Sequence, residues 1–225
     1  MKNTMVVCAL AVLLTSAQAS QSGMDRTKPA AGEEAARAAA IRTLGDHFAT
    51  AAGKEAALTI LKAQGDFSAD AGAVLLDLLD RERSPALRVR AASVFYIIFY
   101  DSTQNREAVL SFLLQPRNRI AFERLLVDPD SEVRSNMIVL GQIMVFGFGK
   151  DQSELLARTY VPILIRGLGD PDPSLRNETV VALSNFKNQA PDSFKTQSVR
   201  VGLAERHKRE TDADVKDALR GLLGE

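Results

Sequence analysis

The sequence predicts an all-α protein in which helix pairs stack side by side, a short α-solenoid. Three observations support this prediction: a turn motif that recurs four times, helical spacing of the apolar residues after each copy, and the absence of the alternating pattern that strands produce. Hydrophobic residues make up 46% of the chain and charged residues 25%, which is ordinary for a folded protein. Trp is absent and Ala and Leu are abundant, so the composition suits helix-on-helix packing.

The turn motif is clearest in Asp128–Arg134, with the sequence DPDSEVR, and in Asp170–Arg176, with DPDPSLR. Looser copies are Glu82–Arg88 and Glu210–Lys216. We take the apolar residue before the final base as the marker of each copy, and successive markers are 46, 42 and 40 residues apart. The markers are Leu87, Val133, Leu175 and Val215. This period is typical of helical arrays in which each unit packs on its neighbours.

Each column of the motif has a physical role. Three residues before each marker stands a good helix N-cap, a residue whose side-chain oxygen accepts a free backbone amide; these are Ser84, Asp130, Asp172 and Asp212. An acid stands five residues before the marker and a base one residue after it. The pairs are Glu82 with Arg88, Asp128 with Arg134, Asp170 with Arg176, and Glu210 with Lys216. We predict a ladder of charge-assisted hydrogen bonds between units; an anion-binding row of arginines is the functional alternative.

Downstream of the first three markers, apolar or small residues follow at offsets of four, seven, eight and eleven, which describe one stripe of an amphipathic helix. Each unit therefore consists of a helix, an acidic turn and a capped second helix. We expect Pro116 to divide a longer helical pattern into two short helices, because proline removes an amide hydrogen bond. Ile41–Arg42 stands 46 residues before Leu87, but Ala36 and Ala38 fill its acidic and capping columns. A terminal capping unit is the better interpretation there.

The pattern resembles HEAT repeats, including the HEAT-like repeats of phycobilin lyases. The Asp-Pro-Asp turn, the apolar-Arg pair and the small or apolar positions after it carry the resemblance, which covers about Asp70 to Leu223. The resemblance implies a short right-handed α-solenoid of helix pairs and, as a tendency of the family, protein–protein interaction. It specifies no catalytic residues. Glu82 in place of Asp, and Lys216 in place of Arg, are departures from the pattern in the outer copies.

The first nineteen residues have the features of a secretory signal peptide. Lys2 gives a positive start, Met5–Leu14 is an unbroken apolar run, and Ala17–Ala19 offers small residues for cleavage. Ten apolar residues are too few to span a bilayer, and the alternative is a buried N-terminal helix. We therefore predict a signal peptide over residues 1–19, a flexible linker over 20–32 and a repeat domain over 33–225, in a periplasmic or secreted protein.

Charge and motif content argue against several classes of function. Without Lys2 the chain has 27 basic and 28 acidic residues, so there is no electrostatic case for nucleic acid. The single cysteine, Cys8, lies in the signal peptide, and His47 and His207 have no partners at metal-ligand spacing. Val139 and Val181 stand where a calcium loop needs a bidentate acid. We predict no catalytic residue, no metal, no cofactor and no membrane span.

The segment Val94–Tyr100 is apolar on all sides of its helix, so it is either central or covered by a partner. Offsets of nine, ten and thirteen, away from the packing stripe, select one surface in two successive units. These residues are Tyr96, Ile97, Tyr100, Gln142, Ile143 and Phe146. Aromatic side chains with a polar tip are favoured at interfaces, so we predict a partner-binding surface here. The alternative is that these residues fill contacts between neighbouring helices.

Three hypotheses for function follow from this pattern. The leading one is a non-enzymatic scaffold of the cell envelope that binds a protein or peptide along its second helices. The second is a chromophore- or ligand-handling protein of the bilin-lyase kind, which requires a deep pocket with convergent polar groups. The third is a structural subunit of an envelope complex whose apolar patch is permanently covered. The sequence identifies neither the partner nor the oligomeric state.

Overall fold

The structure, a computed structural model, describes residues 31–65, 67–101 and 106–224. In these ranges the chain is all-helical: it forms eleven α-helices and one 3-10 turn, Ser193–Lys195, and contains no strand. The helices are α1 (Ala31–Gly45), α2 (Ala51–Gln64), α3 (Ala69–Arg81), α4 (Pro85–Asp101), α5 (Arg106–Leu114), α6 (Pro116–Leu125), α7 (Ser131–Ile143), α8 (Lys150–Gly167), α9 (Pro173–Gln189), α10 (Gln197–Arg209) and α11 (Ala213–Leu223). The contacts described below lie in the compact unit Ala35–Glu225.

The N-terminal predictions fall mostly outside the described residues. The proposed signal peptide, residues 1–19, lies there entirely, and so does the linker up to residue 30. Residues 31 and 32, assigned to the linker from the sequence, belong to the first turn of α1.

The helix boundaries follow from caps and prolines. Pro116 divides α5 from α6, as predicted, and occupies the start of α6, where its missing amide does no harm. Each predicted N-cap accepts a backbone amide of the first helical turn; the four are Ser84, Asp130, Asp172 and Asp212. Thr50 and Ser68 cap α2 and α3 in the same way, and the sequence analysis did not identify them.

The helices contact one another in chain order. The second helices of the units, α2, α4, α7, α9 and α11, touch each other in that sequence. The first helices do the same: α3 contacts α5 and α6, both of these contact α8, and α8 contacts α10. Between the two sets, α3 packs on α4, α6 on α7, α8 on α9 and α10 on α11. Each copy of the motif therefore lies between the two helices of one pair.

The predicted apolar stripe forms the second helices' side of the core between the two sets of helices. All four markers are buried, and so are the residues four, seven, eight and eleven positions after the first three of them. In α4 these are Ala91, Val94, Phe95 and Ile98, each 2% exposed or less. Burying one such aliphatic or aromatic side chain contributes roughly 1.5–3 kcal/mol. The stripe therefore holds each second helix against the first helix of its pair.

An aromatic cluster under α4 explains half of the apolar excess in Val94–Tyr100. Phe95 and Phe99 meet Phe67 and Phe112 edge to face, with ring centroids 6.1 Å apart in the Phe67–Phe99 and Phe95–Phe112 pairs. Gly72 lies beneath this cluster, where an added Cβ would meet the rings of Phe112 and Phe67 at 2.8–3.0 Å. One side of the segment is thus committed to the core, and only the other side faces outward.

Candidate partner-binding face

A row of buried ion pairs joins successive units. In each pair the base of one unit binds the acid that opens the next turn, and no side chain in the row is more than 14% exposed. The pairs are Lys54–Glu82, Arg88–Asp128, Arg134–Asp170 and Arg176–Glu210. Arg176 shows the geometry: its Nε and Nη2 donate to the two carboxylate oxygens of Glu210 at 2.8 and 2.7 Å. Such bidentate pairing fixes orientation as well as distance.

The arginines of this row have little capacity left for an external anion. Arg134 and Arg176 each use Nη1 to donate to the carbonyl oxygen of the acid in their own turn, at 2.8 Å in both cases. The acids are occupied as well, since Asp170 accepts the backbone amide of Asp172 at 2.9 Å. This geometry favours structural pairing over the alternative of an anion-binding row.

The acids at the two ends of the row have shifted pKa values. The hydrogen bond from Lys54 lowers the pKa of Glu82, and backbone amides of its turn add to the effect. The hydrogen bond from Arg176 lowers the pKa of Glu210, and the same bond raises the pKa of Arg176. Both carboxylates are therefore ionised and paired at neutral pH.

The row begins one unit earlier than the sequence analysis placed it. Lys54 supplies the first base, and it follows Gly53 by one residue and the N-cap Thr50 by four, as in the other units. Ile41–Arg42, considered as an earlier marker, lies in α1 instead. At the other end, the side chain of Lys216 makes no hydrogen bond or ion pair with any residue that the structure describes.

The ion-pair row joins the second helices in chain order. Two further contacts show that α7 and α9 run parallel and in register. Near the N-terminal ends, Ser135 Oγ donates to Glu178 Oε2 at 3.1 Å. Near the C-terminal ends, Asn185 Nδ2 donates to the carbonyl oxygen of Gln142 at 2.9 Å. Each contact joins residues at almost the same offset from their markers. Residues at one offset on α7 and α9 therefore lie beside each other.

The outward side of the second helices is defined by the residues at offsets of three, six, ten and thirteen from the markers. In α4 and α7 every one of these residues is at least partly exposed. The apolar members on α4, α7 and α9 and in the turn after α7, which we call the apolar band, are Ile97, Tyr100, Val139, Ile143, Phe146 and Val181. Tyr100 is 42% exposed and Phe146 46%. These are large apolar groups at repeated positions on helices that contact one another.

Gln142 does not belong to this band. It is only 6% exposed, and its Nε2 donates to the carbonyl oxygen of Glu178 at 3.2 Å. Its side chain turns toward the adjacent helix, so Gln142 links α7 to α9 and is covered in this structure. Val139 and Val181 were not predicted to lie on this surface, because offset nine, rather than offset six, was assigned to the outward side of the helices.

The apolar band ends in the turn that follows α7, which a hydrogen bond from Arg106 holds. Tyr96, at offset nine on α4, is partly exposed and stacks on Tyr100 with ring centroids 6.1 Å apart, so it borders the apolar band. Arg106 Nη1 donates to the carbonyl oxygen of Phe146 at 3.0 Å, and its guanidinium lies 5.9 Å from the ring centre of Phe148. No sequence pattern indicated this role for Arg106, which depends on the fold placing α5 beside the turn.

An open groove of about 840 Å³ crosses the N-terminal turns of α2, α4 and α7. Glu55, Arg90 and Ser93 line one part of it, and Asp130 and Glu132 line another. Ser93, Ile97 and Tyr100 follow one another at helical spacing on α4, so the groove continues into the apolar band. The groove and the band together form the candidate partner-binding face.

Within the described ranges, no three His, Cys, Asp or Glu side chains are placed to hold a metal ion. No helix in the same part of the chain combines the length and apolar character needed to cross a lipid bilayer. A scan against protein-family models finds no match, and a search of curated proteins finds no similar sequence. Inferences about function therefore rest on the geometry of the face.

Proposed function

We propose that the mature chain is an exported, non-enzymatic scaffold, a short right-handed α-solenoid of HEAT-like helix pairs that binds a protein or peptide in the cell envelope. The apolar band carries this proposal, because it places fully or partly exposed apolar side chains at shared offsets in successive units. Single exposed apolar residues are common on soluble proteins, whereas contiguous groups mark interaction surfaces. The order of contacts among the second helices and the ion-pair row support the repeat architecture.

The exposure of the band favours binding over internal packing. The residues of the packing stripe on α4 are at most 2% exposed, while Tyr100 on the same helix is 42% exposed. A side chain that only filled a contact between helices would resemble the first group. Amphipathic aromatics of this kind supply most of the energy at many interfaces.

The groove gives little support to the ligand-handling alternative. Ligand pockets are mostly enclosed and apolar, with a few convergent polar groups. This groove is open to solvent and lined largely by charged or small side chains such as Glu55, Arg90, Ser93 and Glu132. Its shape and lining suit an extended partner better than a pigment.

Site-specific photo-crosslinking in the native host tests the proposal. A photoreactive amino acid replaces Tyr100 or Phe146, and in control chains it replaces Leu155 on α8 or Val201 on α10, which are 44% and 48% exposed. We expect a discrete adduct from the two face positions and none from the controls. Equal adducts from all four positions, or none from the face, would contradict the proposed function.

The same preparation tests export. We expect the chain to fractionate with the envelope and its mature form to begin at Ser20. A cytoplasmic protein that retains its first nineteen residues would contradict that part of the proposal. A partner that stays bound through every purification step would make the chain a structural subunit rather than a transient scaffold.

A further inference from the structure

The face carries a strong local charge although the whole chain has a formal net charge of zero. With Gly53 at the marker position of α2, eight carboxylates stand within three positions of the markers on α2, α7, α9 and α11, all in the described part of the chain, whereas α4 contributes none. This acidic band consists of Glu55, Asp130, Glu132, Asp172, Glu178, Asp212, Asp214 and Asp217. Apart from the paired bases of the ion-pair row, only Arg90 and Lys216 occupy the same positions. The N-terminal turns of α7 and α9 are therefore acidic, and residues of the apolar band follow them on both helices.

Helix capping accounts for part of this charge but not for all of it. Asp130, Asp172 and Asp212 are N-caps, and acids in a first helical turn are stabilised by the helix dipole. Glu55 and Glu178 lie beyond the first turns of α2 and α9, where this effect has faded. Their charges need another explanation.

Glu178 has no cation to balance its charge among the described residues. Its carboxylate accepts one hydrogen bond, from the neutral hydroxyl of Ser135 at 3.1 Å. Burial raises the pKa of Glu178, and the nearby charge of Asp172 raises it further. Glu55 is only loosely paired, with 4.0 Å between its Oε2 and Nε of Arg90. A partner's cation placed here would meet carboxylates that the protein itself leaves uncompensated.

We infer that the partner segment is amphipathic and basic, with Lys or Arg side chains against the acidic band and apolar side chains against the apolar band. This inference rests on the proposed function and specifies the chemistry of the partner. The two bands meet on α7 and α9, where acidic N-terminal turns are followed by apolar band residues, so one segment crossing these two helices contacts both. The same carboxylates would repel nucleic acid and anionic lipid headgroups.

Two synthetic helical peptides test this inference with the full mature chain. They share one face of Leu with a single Trp, and they carry either Lys or Glu on the opposite face. The chain contains no Trp, so the peptide's fluorescence reports binding without background. We expect the Lys peptide to bind, with an affinity that falls as salt is raised, and the Glu peptide to bind at least tenfold more weakly.

Variants of the chain locate the binding. Glu132→Gln with Glu178→Gln should weaken binding of the Lys peptide about tenfold, since one exposed and one partly buried charge contact are lost. The matched control, Glu107→Gln with Glu205→Gln, removes two exposed carboxylates from the first helices α5 and α10 and should leave the affinity unchanged. Circular dichroism confirms that each variant is folded.

The outcomes separate this inference from the proposed function. Equal binding of both peptides, equal effects of the two double variants, or no binding of the Lys peptide would overturn the inference. Adducts from Tyr100 and Phe146 in the crosslinking experiment would still support the face as a docking surface in each of these cases. Absence of those adducts would contradict the proposed function itself.

Discussion

Arg134 and Asp170 lie 36 residues apart in sequence and form one bidentate ion pair, with donor–acceptor distances of 2.6 and 3.2 Å. Through the same guanidinium, Arg134 also holds the carbonyl oxygen of Asp128 at 2.8 Å. A single side chain thus joins α7, the turn before it and the turn before α9. The relationship recurs at Arg176, so the motif is an inter-unit joint as well as a helix start.

The first prediction concerns the strength of this joint. Arg134→Met should lower the free energy of unfolding by about 3 kcal/mol, because it leaves the buried carboxylate of Asp170 without its charge partner. Arg124→Met is the matched control: Arg124 also binds an aspartate of a neighbouring unit, Asp80, but the two side chains are 59% and 33% exposed. The control should cost less than about 1 kcal/mol in urea denaturation. Equal losses would show that burial of the pair does not matter.

The second prediction concerns acid pH. Because the pKa of Glu210 is lowered in the folded chain, the stability gained from its ionised form is complete above its ordinary value of 4.5 and is lost as pH falls through the folded value. Glu210→Gln should therefore lower the thermal midpoint at pH 7 and flatten its fall below pH 4.5. Parallel curves for the variant and the parent chain would contradict the pairing with Arg176.

The third prediction concerns Glu178, whose effect on stability changes with pH in the opposite direction to that of Glu210. Burial raises the pKa of Glu178, so the ionised form of this residue reduces stability increasingly as pH rises from 4.5 through its folded value. Glu178→Gln keeps an oxygen that can accept the hydroxyl hydrogen of Ser135. It should raise the thermal midpoint at pH 7, with no gain at pH 4. A lower midpoint at pH 7 would mean that the carboxylate is already compensated within the chain.

The fourth prediction compares two glycines. Gly147 has a φ of +80°, and an added Cβ would collide with the guanidinium of Arg106, which holds the turn. Gly147→Ala should therefore cost about 1–3 kcal/mol through backbone strain and the lost hydrogen bond. Gly221 lies within α11 with no atom near its missing side chain, so Gly221→Ala should add about 0.5–1 kcal/mol. Urea denaturation of both variants distinguishes the two effects.

Sequence reasoning succeeded where local chemistry decides the structure. Asp130, Asp172 and Asp212 were predictable as N-caps because a carboxylate directly before an amphipathic stripe can accept the free amides of the first helical turn. Pro116 ends one helix and begins the next because of its ring. The unit that contains α2 was not predicted, since Gly53 replaces the apolar marker there and Phe48 stands in the acidic column. Only the contact between Lys54 and Glu82 reveals that unit.

The candidate face was harder to predict because the exposure of its residues depends on how each helix is rotated against its neighbours. The offsets of Ile143 and Phe146 were assigned to the outward side from the helical period alone. Gln142 differs from Ile143 by one position, yet α9 covers it and leaves Ile143 partly exposed. The rotation of α7 against α9 is set by contacts such as Asn185 with Gln142, which no single-sequence pattern encodes.

The central claim, that the second helices lie side by side in chain order, is tested most directly by distances between spin labels at the outward offset of six. Cysteine pairs Ser93–Val181 and Thr59–Val181 place the labels two and three helix spacings apart, in a chain whose single native cysteine, Cys8, is replaced by Ser. With 8–10 Å between neighbouring axes, we predict distances of roughly 20 and 30 Å. A Thr59–Val181 distance no longer than that of Ser93–Val181 would contradict the account.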